Sequence, residues 1–405
     1  MRARVLLATA AAGAVALLGA GCAPVRQFDP AYASTAHDRG TVESVAFLRA
    51  YPAWRLNALL LFAPVPFRLS VAHPVALYRV VYWTEYLGHP VRASGLIAVP
   101  DDAPPTATVM WLHGTNMDRA TALSTPTPEG LLVSAGFAGA GYMLVAPDYI
   151  GQGLTELAHP YLFTPATVAA SLDLLTASRQ VSAGLRLAWR QDLFIAGASQ
   201  GAHAALAVHR ALEQTPPPEV RLRATAAMSA PMNMGDIGVP FALYGASPDD
   251  SGYLAWIAAS YADAYGQDLT TVLKPATAAQ VRDWIAHPAA HASLTARLPR
   301  YPRDMFQPDF LAGFDQRAPS WFRDALLANE TWRWAPRAPV RIYYSHADLD
   351  VAARDDIESA AAMVARGGHV TLEPIEGEFG HVQAILRAVP RARAWFLSIV
   401  PGGGG

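Results

Sequence analysis

Six short apolar runs, spread over the last three quarters of the chain, constrain its fold more than any other feature. Thr108–Leu112 runs into His113-Gly114, Tyr142–Ala146 into Pro147-Asp148, and Asp192–Ala196 into a turn at Gly197. Ala224–Met228, Val340–Tyr344 and Val370–Glu373 complete the set. Short runs of this kind that end in loop residues predict the strands of a sheet buried on both faces. Helical patterns lie between them, over Ala166–Gln180, Gly201–Glu213 and Ile357–Arg366. Strands alternating with helices predict an α/β fold with a mostly parallel central sheet flanked by helices. Upstream, Ala76–Thr84 and Val91–Val99 flank Gly88-His89-Pro90 and predict an antiparallel hairpin. Thr41–Phe62 carries Val45, Leu48, Leu56, Leu59 and Leu60 at mixed helical spacing and is expected to be helical, broken at Pro52.

Residues 232–335 leave this rhythm. They hold no clear buried strand but 15 of the chain's 39 aromatic residues, which predicts a mainly helical cap inserted into the sheet domain. The core is then split into 71–231 and 336–400, with a polar tether and N-terminal helical extension over 22–70 and a flexible tail over 401–405. At 405 residues the chain is long enough for one large core with such an insertion.

Gly197-Ala198-Ser199-Gln200-Gly201 matches G-x-S-x-G, with a predicted strand before it and an Ala-rich helix after it. Small residues around the serine permit a tight turn that lifts its hydroxyl above a helix N-terminus, where the dipole favours an anion. A serine hydroxyl needs a base, and the base needs an orienting acid. His381, in Phe379-Gly380-His381 beyond the last strand, is the base expected. His369 sits at the wrong end of that strand, His287 and His291 lie in the cap, and His203 and His209 lie on the helix after Ser199 and are expected to point away. The acid is Asp348 or, two residues later, Asp350; both follow the strand Val340–Tyr344. The oxyanion needs N–H donors. Gln200 supplies one, and the loop after the first core strand supplies the other from Thr115, with Asn116 as the alternate.

Pro147-Asp148-Tyr149-Ile150-Gly151-Gln152-Gly153, His159-Pro160-Tyr161 and the Ser-Gln-Gly elbow together resemble the secretory lipase and esterase branch of the α/β hydrolases, over roughly residues 75–395. The resemblance implies an α/β-hydrolase fold, hydrolysis of carboxylic esters, and a structural role for Asp148 to Gly153. The usual acid motif of this class, Gly-x-x-Asp-x-x-Val-Pro, fits Asp348 with Val351 and favours Asp348. Ser345 and Ala352 depart from it. Fungal members carry disulfides, which a chain with one cysteine cannot make within itself.

That cysteine is Cys22. It follows Arg2 and Arg4, the uncharged apolar run Val5–Leu18, and Gly19-Ala20-Gly21. The arrangement reads as an export signal over 1–21. It resembles a bacterial lipoprotein processing site in which Cys22 is lipidated, although Gly19 stands where Leu, Val or Ile is usual. Ala23 after the cysteine implies, by the same resemblance, the outer membrane. Two acyl chains would form a stable anchor; without them the protein is periplasmic or secreted. A net charge of −2 offers no footprint for nucleic acid. The expected activity is a serine esterase or lipase acting on small-molecule or lipid esters with apolar acyl groups, needing no metal or cofactor. A peptidase with the same triad and a non-catalytic envelope lipoprotein are the rivals. Oligomeric state is not readable.

Overall fold

A computed structural model describes residues 25–62, 69–287 and 294–402. The expected signal over 1–21, Cys22, His291 and the end of the glycine tail lie outside the described residues.

Nine strands form one sheet in the order β1-β2-β3-β5-β4-β6-β7-β8-β9. They are β1 (Val42–Tyr51), β2 (Val75–Tyr86), β3 (His89–Pro100), β4 (Thr108–Leu112), β5 (Met143–Pro147), β6 (Asp192–Ala198), β7 (Arg221–Met228), β8 (Val340–Tyr344) and β9 (Val370–Pro374). The hairpin β2–β3 pairs antiparallel from Val75↔Pro100 to Tyr86↔His89, and β3 joins β5 antiparallel. From β5 through β4, β6, β7, β8 to β9 every pairing is parallel. Parallel pairing needs crossovers, and helices supply them. They include α2 (Pro128–Phe137), α3 (Thr164–Gly184), α4 (Gln200–Gln214) and α10 (Ala353–Ala365), while α11 (His381–Ile399) follows the last strand. Every residue of β4 and β5 is buried, which is why their sequences show no alternation.

The sequence expectation fails at Thr41–Phe62. Residues 42–51 are the edge strand β1, and only Ala53–Leu61 is helical, as α1. Pro52 is the reason. A residue before proline is pushed out of the helical region, which favours extended Tyr51, and β2 then supplies the ladder from Val42↔Tyr82 to Tyr51↔Val75. Residues 25–40 also differ from a free tether. Asp29 N–H donates to Gly184 O, Tyr78 Oη donates to Arg26 O, and Phe28 packs on Gly184 at the end of α3.

Between β7 and β8 the described residues include five helices and no strand: α5 (Val239–Leu243), α6 (Asp250–Tyr265), α7 (Pro275–Ala286), α8 (Pro308–Asp315) and α9 (Trp321–Ala328). They enclose an apolar cluster centred on α6, with Trp256, Tyr261, Trp284, Phe306 and Phe322 buried. Tyr161, Leu162 and Phe163, from the segment before α3, join that cluster. This contact ties the helical stretch to the sheet edge at which the parallel strands end.

Candidate active site

In a parallel sheet the carboxyl ends of the strands lie on one edge, and the segments that leave them meet there. Ser199 follows β6, Thr115 follows β4, Asp348 follows β8 and His381 follows β9, so the topology brings all four to that edge.

Ser199 bridges the last residue of β6 and the first of α4 with φ 56° and ψ −120°. A positive φ is strained for a residue with a side chain, and it persists because the surroundings over-determine it. Ser199 N–H donates to Met228 O at 2.9 Å, and Ser199 O accepts from the N–H groups of Ala202 and His203. The flanking glycines leave no alternative. A Cβ on Gly201 would lie 1.8 Å from Leu112 O, and one on Gly197 would lie 2.0 Å from Gly201 O. The strand β4, the turn and the start of α4 are thus in backbone contact. Gly114 comes close as well, since a Cβ there would sit 3.7 Å from Ser199 Cβ.

His381 opens α11, and its Nδ1 lies 2.7 Å from Asp348 Oδ2. A carboxylate can only accept, so Nδ1 carries the proton, and the lone pair of the neutral ring is on Nε2. The other oxygen of Asp348 accepts the N–H groups of Asp350 at 2.9 Å and Val351 at 3.0 Å. Burial pushes the Asp348 carboxyl up, but the hydrogen bond and charge of His381 and these two N–H groups outweigh it and hold the group below the ordinary carboxylate range. Asp350 has a different partner: its Oδ1 accepts the hydroxyl of Ser247. Ser345 donates to Phe379 O at 2.6 Å and so clasps the loop of the acid to the loop of the base.

Asp348, Asp350 and His381 have donor atoms within 4.8 Å of one another, the one such group among the described residues that could hold a metal ion. Asp348 has both oxygens engaged and Asp350 is bound to Ser247, so the group is built as a hydrogen-bonded acid–base pair.

The loop after β4 is held from several sides. Thr115 Oγ1 lies 2.6 Å from Tyr161 Oη, and Asn116 O accepts Gln152 Nε2 at 2.8 Å. Asn116 Oδ1 accepts the N–H of Asp118 and the hydroxyl of Thr121, which folds the loop on itself. Among the described residues, the backbone N–H groups of Thr115 and Gln200 have no protein acceptor. The Asp148 side chain, wholly buried, accepts Ser94 Oγ at 2.6 Å and Ser124 N–H at 2.9 Å. It braces the loop after β5 and takes no part in the acid–base pair.

Two residues without an assigned role in the sequence reading stand beside the elbow. His159 Nδ1 lies 2.6 Å from Ile150 O and therefore carries the proton, so Nε2 accepts Gln200 Nε2 at 2.7 Å. Burial drives the His159 pKa down to about 4, keeping the ring neutral. Tyr161 is the other, through Thr115. Their partners lie 41 and 46 residues away, beyond any local pattern. His203 is buried against Asn329 O at 2.8 Å and His209 against Thr225, both away from the pair. His287 is an exposed residue at the end of α7, and His369 meets Arg337 O at the amino end of β9.

The architecture is that of the α/β hydrolases. The chain superposes on the rice cell wall degrading esterase LipA from Xanthomonas oryzae with a TM-score of 0.76 at 23% identity, over 88% of this chain and 98% of that one. A Legionella pneumophila protein assigned provisionally as a hydrolase gives 0.83 at 22% identity, over 90% and 99%. Candida antarctica lipase A in its closed state gives 0.60 at 16% identity, over 90% and 84%. At these identities the likeness is one of fold. No protein-family model and no curated protein matches the sequence.

Proposed function

We propose that the protein is a serine carboxylic-ester hydrolase that works through an acyl-enzyme. The observation that carries this reading is the pair His381 Nδ1–Asp348 Oδ2 at 2.7 Å, on the sheet edge where Ser199 holds a strained elbow. Esterase and lipase names among proteins of the same fold support it.

Ser199 Oγ attacks the ester carbonyl carbon as its proton passes to His381 Nε2. Asp348 orients the ring and stabilises the imidazolium. The carbonyl oxygen, now an anion, takes hydrogen bonds from the N–H groups of Gln200 and Thr115 at the start of α4 and in the loop after β4. The intermediate collapses, the C–O bond to the alcohol breaks, and His381 returns the proton to the leaving oxygen. Water then attacks the acyl-enzyme by the same route and releases the acid. No step calls for a metal or cofactor.

The helical stretch of residues 232–335 is read as the cap over this site, and its aromatic content favours an apolar acyl group. Export and attachment through a lipidated Cys22 belong to the same proposal and rest on the N-terminal sequence alone. The described residues contain no helix long and apolar enough to cross a membrane.

The decisive experiment is turnover of a series of p-nitrophenyl esters of rising acyl length by wild type and Ser199→Ala. Loss of kcat on the order of 10⁶-fold in the variant is expected. Turnover near the wild-type rate in the variant would refute the proposal.

A further inference from the structure

The outer face of α1 is apolar where a surface helix is ordinarily polar. Leu56 and Leu60 face the core, and Asn57 fixes the helix in that orientation. Asn57 Nδ2 donates to Val71 O and its Oδ1 accepts Val71 N–H, both at 2.9 Å. Trp54 and Leu61, two turns apart and so on one stripe, lie on the side away from Leu56 and Leu60, with Phe62 beside them. They are 63%, 83% and 86% exposed. Residues 44–62 contain Arg49 and Arg55 and no acid. Both guanidinium groups lie over the ring of Tyr51, 5.8 and 5.7 Å from its centre, and neither forms an ion pair among the described residues.

The place of α1 in the fold limits what can reach this face. β1 ends at Tyr51, which pairs with Val75 at the start of β2, and Val75 pairs with Pro100 at the end of β3. β3 runs antiparallel to β5, with Gly95 opposite Pro147 and Ala98 opposite Leu144. The Tyr51 end of the hairpin is therefore at the amino edge of the parallel strands, opposite the edge that carries Ser199 and His381. Val71, to which α1 is pinned, packs on Gly139 just before β5, at the same amino edge. The chain enters the fold there too. Tyr78 Oη donates to Arg26 O at 2.8 Å, its ring meets Phe47 of β1 at 5.8 Å, and the Arg26 charge acts on Asp101, directly after β3. Cys22 stands four residues before Arg26, at most about 14 Å of chain away.

We propose that the outer face of α1 docks on a lipid bilayer with anionic headgroups, as a second contact beside the acyl groups on Cys22. For the choice of occupant the inference rests on the reading of Cys22 as lipidated. Trp54 sits at headgroup level, Leu61 and Phe62 enter the acyl boundary, and Arg49 and Arg55 meet the headgroup phosphates. Two contacts at one edge fix the orientation of the molecule. Ser199 and the helical stretch above it face away from the bilayer, so the esters arrive from the aqueous side and not from the membrane that holds the enzyme.

The test uses vesicles of phosphatidylcholine and phosphatidylglycerol. Every described residue follows Cys22, so a chain from residue 22 onward carrying Cys22→Ser keeps the described fold without a lipid. It is expected to co-sediment with the vesicles. The variant Trp54→Ser/Leu61→Ser/Phe62→Ser in the same chain should partition about 10- to 100-fold more weakly, with kcat on a soluble p-nitrophenyl ester within about 2-fold. In the lipidated full chain, an environment-sensitive fluorophore on Leu61→Cys should shift to the blue and be quenched by brominated lipid. The same fluorophore on Tyr244→Cys, near the Ser247 that bonds Asp350, should do neither. Absence of vesicle binding by the unlipidated chain, equal partitioning of the triple variant, or quenching at Tyr244 as strong as at Leu61 overturns the proposal. So does a dimer in vesicle-free solution that the triple variant splits, since the face then belongs to a second copy. Reaction of Cys22 with a thiol reagent in the exported wild type removes the lipid anchor, and the partition measurement then decides on α1 alone.

Discussion

His381 reaches Asp348 at 2.7 Å, while Asp350, two residues further on, spends its carboxylate on Ser247. Position after the strand left both acids open, and the resemblance favoured Asp348. Asp348→Asn is expected to lower kcat by about 10⁴-fold, since an amide both removes the charge and disturbs the ring tautomer. Asp350→Asn should stay within about 3-fold. Steady-state kinetics on a soluble ester separates the two, and a reversed order would reassign the acid.

The elbow glycines are required by contact as well as by motif. A methyl at Gly201 would lie 1.8 Å from Leu112 O, a backbone atom with no rotamer to escape into. Gly201→Ala is therefore expected to cost about 3 kcal/mol or more, at the severe end of overpacking. Urea denaturation followed by circular dichroism measures it, and a loss below about 1 kcal/mol would contradict the packing described.

His203 provides an acid-sensitive element of the fold. Burial drives its pKa from 6.5 down to about 4, although its hydrogen bond to Asn329 O opposes the shift. The unfolded chain takes up a proton near pH 6.5 that the folded chain refuses until about pH 4. The stabilisation is thus present above 6.5 and is lost as pH falls between these values. Wild type should lose about 3 kcal/mol more than His203→Gln between pH 7 and pH 4. Parallel pH dependences in the two proteins would show that the ring is not held neutral.

Asp250 runs the other way. Burial raises its pKa to about 7 despite a hydrogen bond from Ser247 N–H, and its Oδ1 is buried without a protein partner among the described residues. A group whose folded pKa is raised contributes its stability below the unfolded value, and this is lost as pH rises through about 7. Asp250→Asn keeps the acceptor for Ser247 and removes the ionisation. The melting temperature of the variant relative to wild type should therefore increase from pH 5 to pH 8. A difference that is flat across this range would sink the assignment.

The parallel strands were legible because burial on both faces leaves an apolar run with loop residues after it, and Thr108–Leu112 and Val340–Tyr344 coincide with β4 and β8. The elbow was legible because its constraints are local: two glycines and a serine within five residues. The edge strand β1 was not, since its exposed face has no apolar alternation and its ladder comes from β2, although Pro52 carried a signal against a helix through Tyr51. His159 and Tyr161 were visible as residues but not as braces. Their partners are set by how β4, β6 and the segment before α3 converge, which no window of sequence contains. The reading of Asp348 over Asp350 draws likewise on which carboxylate bonds His381 at the start of α11, a property of the loop after β8.

The strands β7 and β8 are immediate neighbours, paired from Thr225↔Val340 to Met228↔Tyr343. The residues from 229 to 339 consequently leave the sheet and rejoin it at adjacent points. Their ends are pinned by the ladder, so the entropy of closing this excursion grows only with the logarithm of its length. The sheet is nearly indifferent to how many residues travel between those points. That makes the junction a place where one lineage can lengthen, shorten or replace what lies above the site while the register of the nine strands, and the carboxyl edge they define, is inherited unchanged.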